Sequence, residues 1–230
     1  MYKWNDIVVV GDSFCAARSV PNHWPYRLAN LITGEDPGPK RPVRGHGWGG
    51  ASWWAVKKQL PFYLKAGPKI LVVCHTEPMR LPNDRNKPIG LATAEADNPD
   101  TVENTDFALY EAARQYYRNL FCEDFHLWSQ EQWFKELDDL VDSTASLEQV
   151  YHLHCFRGKW NRYPFRRGVR FLDNLFHYAE PSDKDYQGNE NHNHFDSANN
   201  HRLAQQLAEL IKNYPGDGHV VSKFTLKEKR

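Results

Sequence analysis

The chain has 230 residues, and its 29 Lys plus Arg balance 29 Asp plus Glu, so it carries no formal net charge. That argues against a dedicated nucleic-acid binder, whose domain carries a basic excess. The length suits one α/β domain, and 8 Trp, 11 Tyr and 12 Phe supply a sizeable core.

No apolar run approaches the ~20 residues of a membrane span. The four cysteines, Cys15, Cys74, Cys122 and Cys155, show no Cys-x-x-Cys spacing. They read as reduced thiols rather than a disulfide framework or zinc knuckle. An apolar run follows Met1 to Asp6 at once, leaving no room for a secretory leader, so a cytoplasmic location is expected.

In chain order, Ile7 to Val10 is a β-branched run that stops at Gly11-Asp12-Ser13, the signature of a buried strand of a parallel sheet followed by a sharp turn. Pro25 to Ile32 carries apolar residues at helical spacing. Arg41 to Gly45 is a short, weak strand pattern before a glycine-rich turn, Gly45 to Ser52. Ala51 to Leu64 reads as a helix and Lys69 to His75 as a second strong buried strand. Asp106 to Ser143 predicts two helices broken near Cys122 to His126. Gln149 to Phe156 alternates as a strand does, and Val169 to Tyr178 holds another strand pattern. Ser197 to Tyr214 repeats Leu203, Leu207, Leu210 and Ile211 on one helical face, and Val220 to Leu226 predicts a peripheral strand.

Strands alternating with helices predict a mostly parallel sheet covered on both faces, a three-layer α/β/α sandwich of the flavodoxin-like type. Residues 1–230 form one domain in this reading, with rim loops at 79–105 and 156–168 and a tail at 216–230. Right-handed crossovers place the loops after each strand on a single rim, where open α/β sheets bind their ligands.

Three of those loops carry suggestive chemistry. Gly11-Asp12-Ser13 offers a hydroxyl, although Asp12-Ser13 equally suits a plain helix cap. Gly45-His46-Gly47-Trp48-Gly49-Gly50-Ala51-Ser52 offers backbone donors, and Asn191-His192-Asn193-His194-Phe195-Asp196 offers an imidazole just before the last helix. A nucleophile, an oxyanion site and a general base are the requirements of acyl transfer.

These motifs, in this order, resemble the SGNH (GDSL-type) hydrolases. The likeness covers roughly residues 6–213 and is closest to a loosely characterised branch that includes phage-encoded members. It rests on residues 11–16, 24–29, 49–54, 75–80 and 193–195. The resemblance implies an esterase with Ser13 as nucleophile and His194 as general base, the oxyanion held by the amides of Ser13 and Gly50.

Two positions depart from the family pattern. Its oxyanion asparagine falls at Thr76, whose hydroxyl is the expected substitute donor. Its aspartate falls at Asn191, so Asn191, Glu190 and Asp185 are the alternatives for orienting His194, with a Ser-His dyad as a further option.

Trp48, Arg80, Arg157 and Trp160 are the expected substrate contacts, the last two from a segment (156–168) that interleaves cations with aromatics, with pairing to Glu77 as the alternative for Arg80. That segment reads equally as a solvated loop pinned by its aromatic residues. His152 and His154, on one strand face, read as core residues. Cys74, His75, His152, His154, Cys155, His192 and His194 all fall near the predicted rim and zinc could collect three of them, but their spacing shows no compact ligand motif, so no metal and no cofactor is expected.

The expected partner is a small-molecule or glycan ester, with no membrane and no nucleic acid; oligomeric state is not legible. Phage origin would place the protein in a host cytoplasm or a virion. The competing reading is a non-catalytic binding or assembly protein on the same scaffold.

Overall fold

The computed structural model describes residues 2–16, 22–36, 38, 42–45, 47, 50–82, 89–90, 107–179 and 195–228. Its centre is a sheet of five parallel strands in the order β1 (Ile7–Val10), β2 (Ile70–His75), β3 (Gln149–His154), β4 (Val169–Asn174) and β5 (Val220–Val221). Every residue of β1, β2 and β3 is buried, as expected of strands covered on both faces.

Successive side chains on a strand point to opposite faces, and this alternation divides the core into two layers. Ile7, Val9, Val72, Cys74, Tyr151 and Leu153 face one layer with α1 (Trp24–Thr33) and α5 (Ser197–Lys212). Val8, Val10, Leu71, Val73 and Val150 face the other with α2 (Trp53–Leu64) and α4 (Glu123–Asp142). The fold is therefore the three-layer α/β/α sandwich anticipated from the sequence. Among the described residues, no helix is long and apolar enough to cross a membrane.

Helix ends follow local chemistry with tertiary help. α1 has Pro25 in its first turn and stops at Gly34, whose φ of 71° closes a hydrogen bond from its N–H to the Asn30 carbonyl at 2.8 Å. The Trp24 amide at its start is satisfied across the layer by Asn200 Oδ1 of α5 at 2.9 Å. The predicted pair of helices in 106–143 is α3 (Phe107–Asn119) and α4, separated by Leu120 to Cys122.

Two strand expectations are corrected, and the strand expected within 169–178 is present as β4. The 41–45 strand reduces to two isolated parallel bridges, Val8 to Arg44 and Gly11 to Gly47, on the outer edge of β1. Glycine is required there: a Cβ on Gly45, whose φ is +110°, would lie 1.9 Å from the Val9 carbonyl oxygen. The 169–178 strand ends at Asn174, whose side chain accepts the His177 amide at 3.1 Å and turns 175–178 into a 3₁₀ helix. The 220–226 strand is only two residues long. The tail leaves the sheet so that Phe224 and Leu226 enter the core and the Thr225 and Lys227 amides bond Gln206 and Asn199 of α5.

Gly45→Ala should cost about 1–3 kcal/mol, the range for forced overlap in a packed interior. Urea denaturation of the variant beside the parent checks this, and an unchanged midpoint contradicts the required close approach.

With 44–47 on one side of β1 and β2 on the other, the chain reverses its order of strand addition at β1. That is the topological switch point, where open α/β sheets bind ligands at the carboxyl ends of their strands. Ser13 follows that end of β1.

Candidate active site

Gly11 lets β1 end hard against β2: a Cβ there would lie 2.6 Å from both the Cβ and the carbonyl oxygen of Cys74. Next comes Asp12, fully buried. Its Oδ1 accepts the Phe14 amide at 3.1 Å and the Cys155 thiol at 3.0 Å; its Oδ2 accepts Thr76 Oγ1 at 3.2 Å and Arg80 Nη1 at 3.0 Å. Asp12 thus caps the single 3₁₀ turn Ser13–Cys15 and also ties together the ends of β1, β2 and β3. This cap places Ser13, 6% exposed, as the first residue of that turn.

The glycine loop lies against this turn. A Cβ on Gly47 would fall 2.5–2.6 Å from backbone atoms of Asp12, Cys15 and Ala16. Arg80 Nη1 bonds the Ala51 carbonyl at 3.1 Å while it bonds Asp12, so residue 51 and the Ser13 turn share one guanidinium. Gly50, with φ of 68°, precedes Ala51 directly. Its own glycine-type backbone makes it the bend between loop and helix α2.

Two expected roles change. Thr76 is 1% exposed, and its hydroxyl donates to Asp12 while accepting from Arg80 Nη1 at 2.8 Å. A hydroxyl has one proton, so with that proton on Asp12 Thr76 has none to offer an oxyanion. Arg80, expected to face substrate, is instead the counter-charge of buried Asp12. Its side chain is 12% exposed, with Glu77 at 3.7 Å and the Phe156 ring 4.9 Å below the guanidinium. A buried carboxylate needs such a partner.

The segment carrying both residues is held from α3 and α4. Gln130 donates to the Thr76 carbonyl at 3.1 Å, His126 Nδ1 to the Pro78 carbonyl at 3.1 Å, and the Tyr117 hydroxyl to the Met79 carbonyl at 2.5 Å. Sequence reasoning missed these three positioning residues, since nothing local distinguishes them from surface polar residues of an amphipathic helix. Of the long 79–105 loop, residues 79–82 and 89–90 are described: the Leu81 amide bonds the Ile89 carbonyl at 2.9 Å, and Ile89 is buried against Ala113 and Tyr117.

Below the turn, Cys15, Cys74 and Cys155 are buried free thiols. Burial pushes the Cys74 and Cys155 thiols above their ordinary range, which keeps them protonated and poor nucleophiles.

His75, His152 and His154 belong to the sheet interior rather than the rim surface. His152 Nε2 donates to the Arg167 carbonyl at 3.0 Å, since a carbonyl only accepts. Its Nδ1 therefore accepts from His75 Nε2, also at 3.0 Å. Phe165 stacks on His152 with centroids 3.7 Å apart. Burial lowers all three basicities, His152 and His154 to about 3, so they are neutral core groups. Among the described residues, no group of three His, Cys, Asp or Glu is arranged to hold a metal ion.

His194, with Asn191, Glu190, Asp185 and Trp48, lies outside the described residues. Phe195, the next residue after His194 in the chain, is fully buried with its ring 5.4 Å from that of Phe14. Asp196 caps α5 by accepting the Asn199 amide at 2.6 Å. Phe195 and Asp196 thus anchor and cap the start of α5.

The aromatic and basic wall at 156–168 is split. Trp160 folds onto Gly158, where a Cβ would lie 2.2 Å from its ring. It lines a cavity of about 640 Å³ against α4 with Phe134 and Tyr163. Arg157 lines a different cavity, of about 370 Å³, beside the end of β4. Arg166 and Arg167 are tied to Asp138, Asp139, Asp142 and Asp217 and hold the wall down.

Comparison with protein families, curated proteins and solved structures finds no match for this chain.

Proposed function

We propose that the chain is a serine hydrolase of the SGNH type that removes an O-acyl group, such as acetyl, from a carbohydrate or similar polar molecule. The observation that carries this reading is the ring contact between Phe14 and Phe195. These are the residues immediately after Ser13 and immediately after His194, and they pack together at the switch point of the sheet.

In this reading the Ser13 hydroxyl attacks the ester carbonyl while His194 takes its proton. The tetrahedral oxyanion is held by the amides of Ser13 and Gly50. Collapse expels the alcohol with the proton from His194, and water then attacks the acyl-enzyme, again with His194 as base. With Thr76 engaged by Asp12, the oxyanion site has two donors, and a missing donor of this kind costs ~10²–10³ in turnover. A slow enzyme with activated or acetylated substrates is expected. The same engagement of Thr76 also suits a binding protein on this scaffold, with carbohydrate as its ligand.

The test is a fluorophosphonate probe with peptide mapping, run beside p-nitrophenyl acetate hydrolysis. Ser13 should be labelled, and Ser13→Ala should lose labelling and about 10⁴–10⁶ of turnover. Equal labelling of both proteins rules out the nucleophile. No labelling and no hydrolysis by the parent leaves the binding protein.

A further inference from the structure

The cavity of about 370 Å³ beside the carboxyl end of β4 has an unbalanced set of polar groups. It is lined by the 157–162 segment, residues 172–178 and the tail around 222–228. Its acids are engaged. Asp173 Oδ1 accepts the Asn174 amide at 2.8 Å and its Oδ2 accepts the Tyr178 hydroxyl, while Glu228 faces His177 at 3.6 Å.

Its cations are not. Arg157, Arg162 and Lys223 are exposed, and none of them forms an ion pair among the described residues, in contrast to Arg166 and Arg167 a few positions on. One acceptor is also left over. Asn161 is 4% exposed and lines the same cavity; its Nδ2 donates to the Leu172 carbonyl at 3.3 Å, but its Oδ1 has no partner. A buried polar atom without a partner is costly. That atom has essentially no surface open to the cavity, so the cations alone address a ligand there.

The cavity therefore asks for a negative charge opposite the guanidinium groups. Guanidinium forks suit carboxylate and phosphate oxygens. Its size suits one sugar ring. A path of rings joins it to the candidate nucleophile: Phe14 contacts Phe156 at 6.0 Å and Phe156 contacts Phe176 at 5.4 Å, and Phe176 is flanked by the cavity-lining residues Asn174 and His177.

We infer that this cavity binds an anionic sugar residue, with Arg157 and Arg162 holding its acid group. As a subsite of the ester substrate the inference rests on the hydrolase reading; as a binding site it stands apart from it.

Calorimetric titration of the full chain with trigalacturonate, mannose 6-phosphate and the neutral galactotriose tests it. Trigalacturonate, mannose 6-phosphate or both should bind at least tenfold more tightly than galactotriose, and which of them does so identifies carboxylate or phosphate as the acid. The Arg157→Ala/Arg162→Ala variant, with its melting temperature confirming the fold, should lose that preference. Equal binding of charged and neutral sugars, no binding of any, or a preference surviving in the variant overturns the inference. Hydrolysis of p-nitrophenyl acetate by the unmodified protein reports separately on Ser13. Charged-sugar binding without hydrolysis keeps the cavity and removes the hydrolase, and hydrolysis without charge preference does the reverse.

Discussion

Asp12→Ala should destabilise the protein by about 3–5 kcal/mol, the range seen when one partner of a buried ion pair is removed. Asp12 is fully buried and the Arg80 side chain is 12% exposed. The variant therefore leaves a guanidinium in a nearly water-free place, where the remaining carboxylate beside it among the described residues is Glu77 at 3.7 Å. The Phe14 amide, the Thr76 hydroxyl and the Cys155 thiol lose their acceptor in the same step.

For a chain of this length the loss corresponds to a fall of roughly 6–20 °C in melting temperature. Arg80→Met should cost less, because the carboxylate keeps three other donors. The pair should show a coupling of about 0.5–3 kcal/mol in a double-mutant cycle. The interaction is little screened by salt because water and ions do not reach it. Urea denaturation at low and high salt checks each statement. A cost below about 1 kcal/mol for Asp12→Ala would show that the turn is held by other means.

Acidification from pH 7.5 to 5.5 should remove about 4 kcal/mol of stability through the histidine cluster. His152 and His154 titrate at about 3 in the folded chain and His75 well below its ordinary value, all by burial and, for His75 and His154, by neighbouring imidazoles. In the unfolded chain they titrate near 6.5. Between those values the unfolded state binds more protons, so lowering the pH favours unfolding. Each group contributes about 1.4 kcal/mol per pH unit below 6.5.

Carboxylates with lowered folded values, such as Glu148 beside Lys69, act only as the pH falls through the carboxylate range, so the window above pH 5.5 belongs to the histidines. His154→Leu removes the Nδ1 atom that has no partner. It should preserve stability at pH 7.5 and reduce the pH dependence by about a third. Denaturation midpoints across this window decide the matter, and a slope untouched by the substitution contradicts the cluster as its source.

Much of the architecture is legible in the order of residues. Ile7 to Val10 and Ile70 to His75 are runs with no polar face, which only a doubly covered strand accommodates. The 203–211 periodicity in α5 allows only one buried stripe. The weaker elements depart from their local patterns where side-chain bonding competes with strand pairing. Asn174 captures the His177 amide and ends β4 early, and Gln206 and Asn199 draw the tail off the sheet.

Within the candidate site, residue type alone places Ser13 at the rim but does not say what Thr76 and Arg80 face. Both read as groups for the substrate, and both are turned to Asp12, 64 and 68 positions away in the chain.

The amino-acid order by itself determined the sheet, its two covering layers and the placement of Gly11-Asp12-Ser13 at a strand's carboxyl end. Hydrophobic period and glycine punctuation are local properties, carried by a few consecutive residues. Only the tertiary structure decided which charges are neutralised and which are left without an ion-pair partner among the described residues. Asp12 finds Arg80 and Cys155, 68 and 143 positions distant, while Arg157 and Arg162 find no carboxylate among the described residues. Such pairing depends on which side chains the packed layers bring within about 3 Å of one another, the reach of a hydrogen bond, and no local pattern encodes that distance.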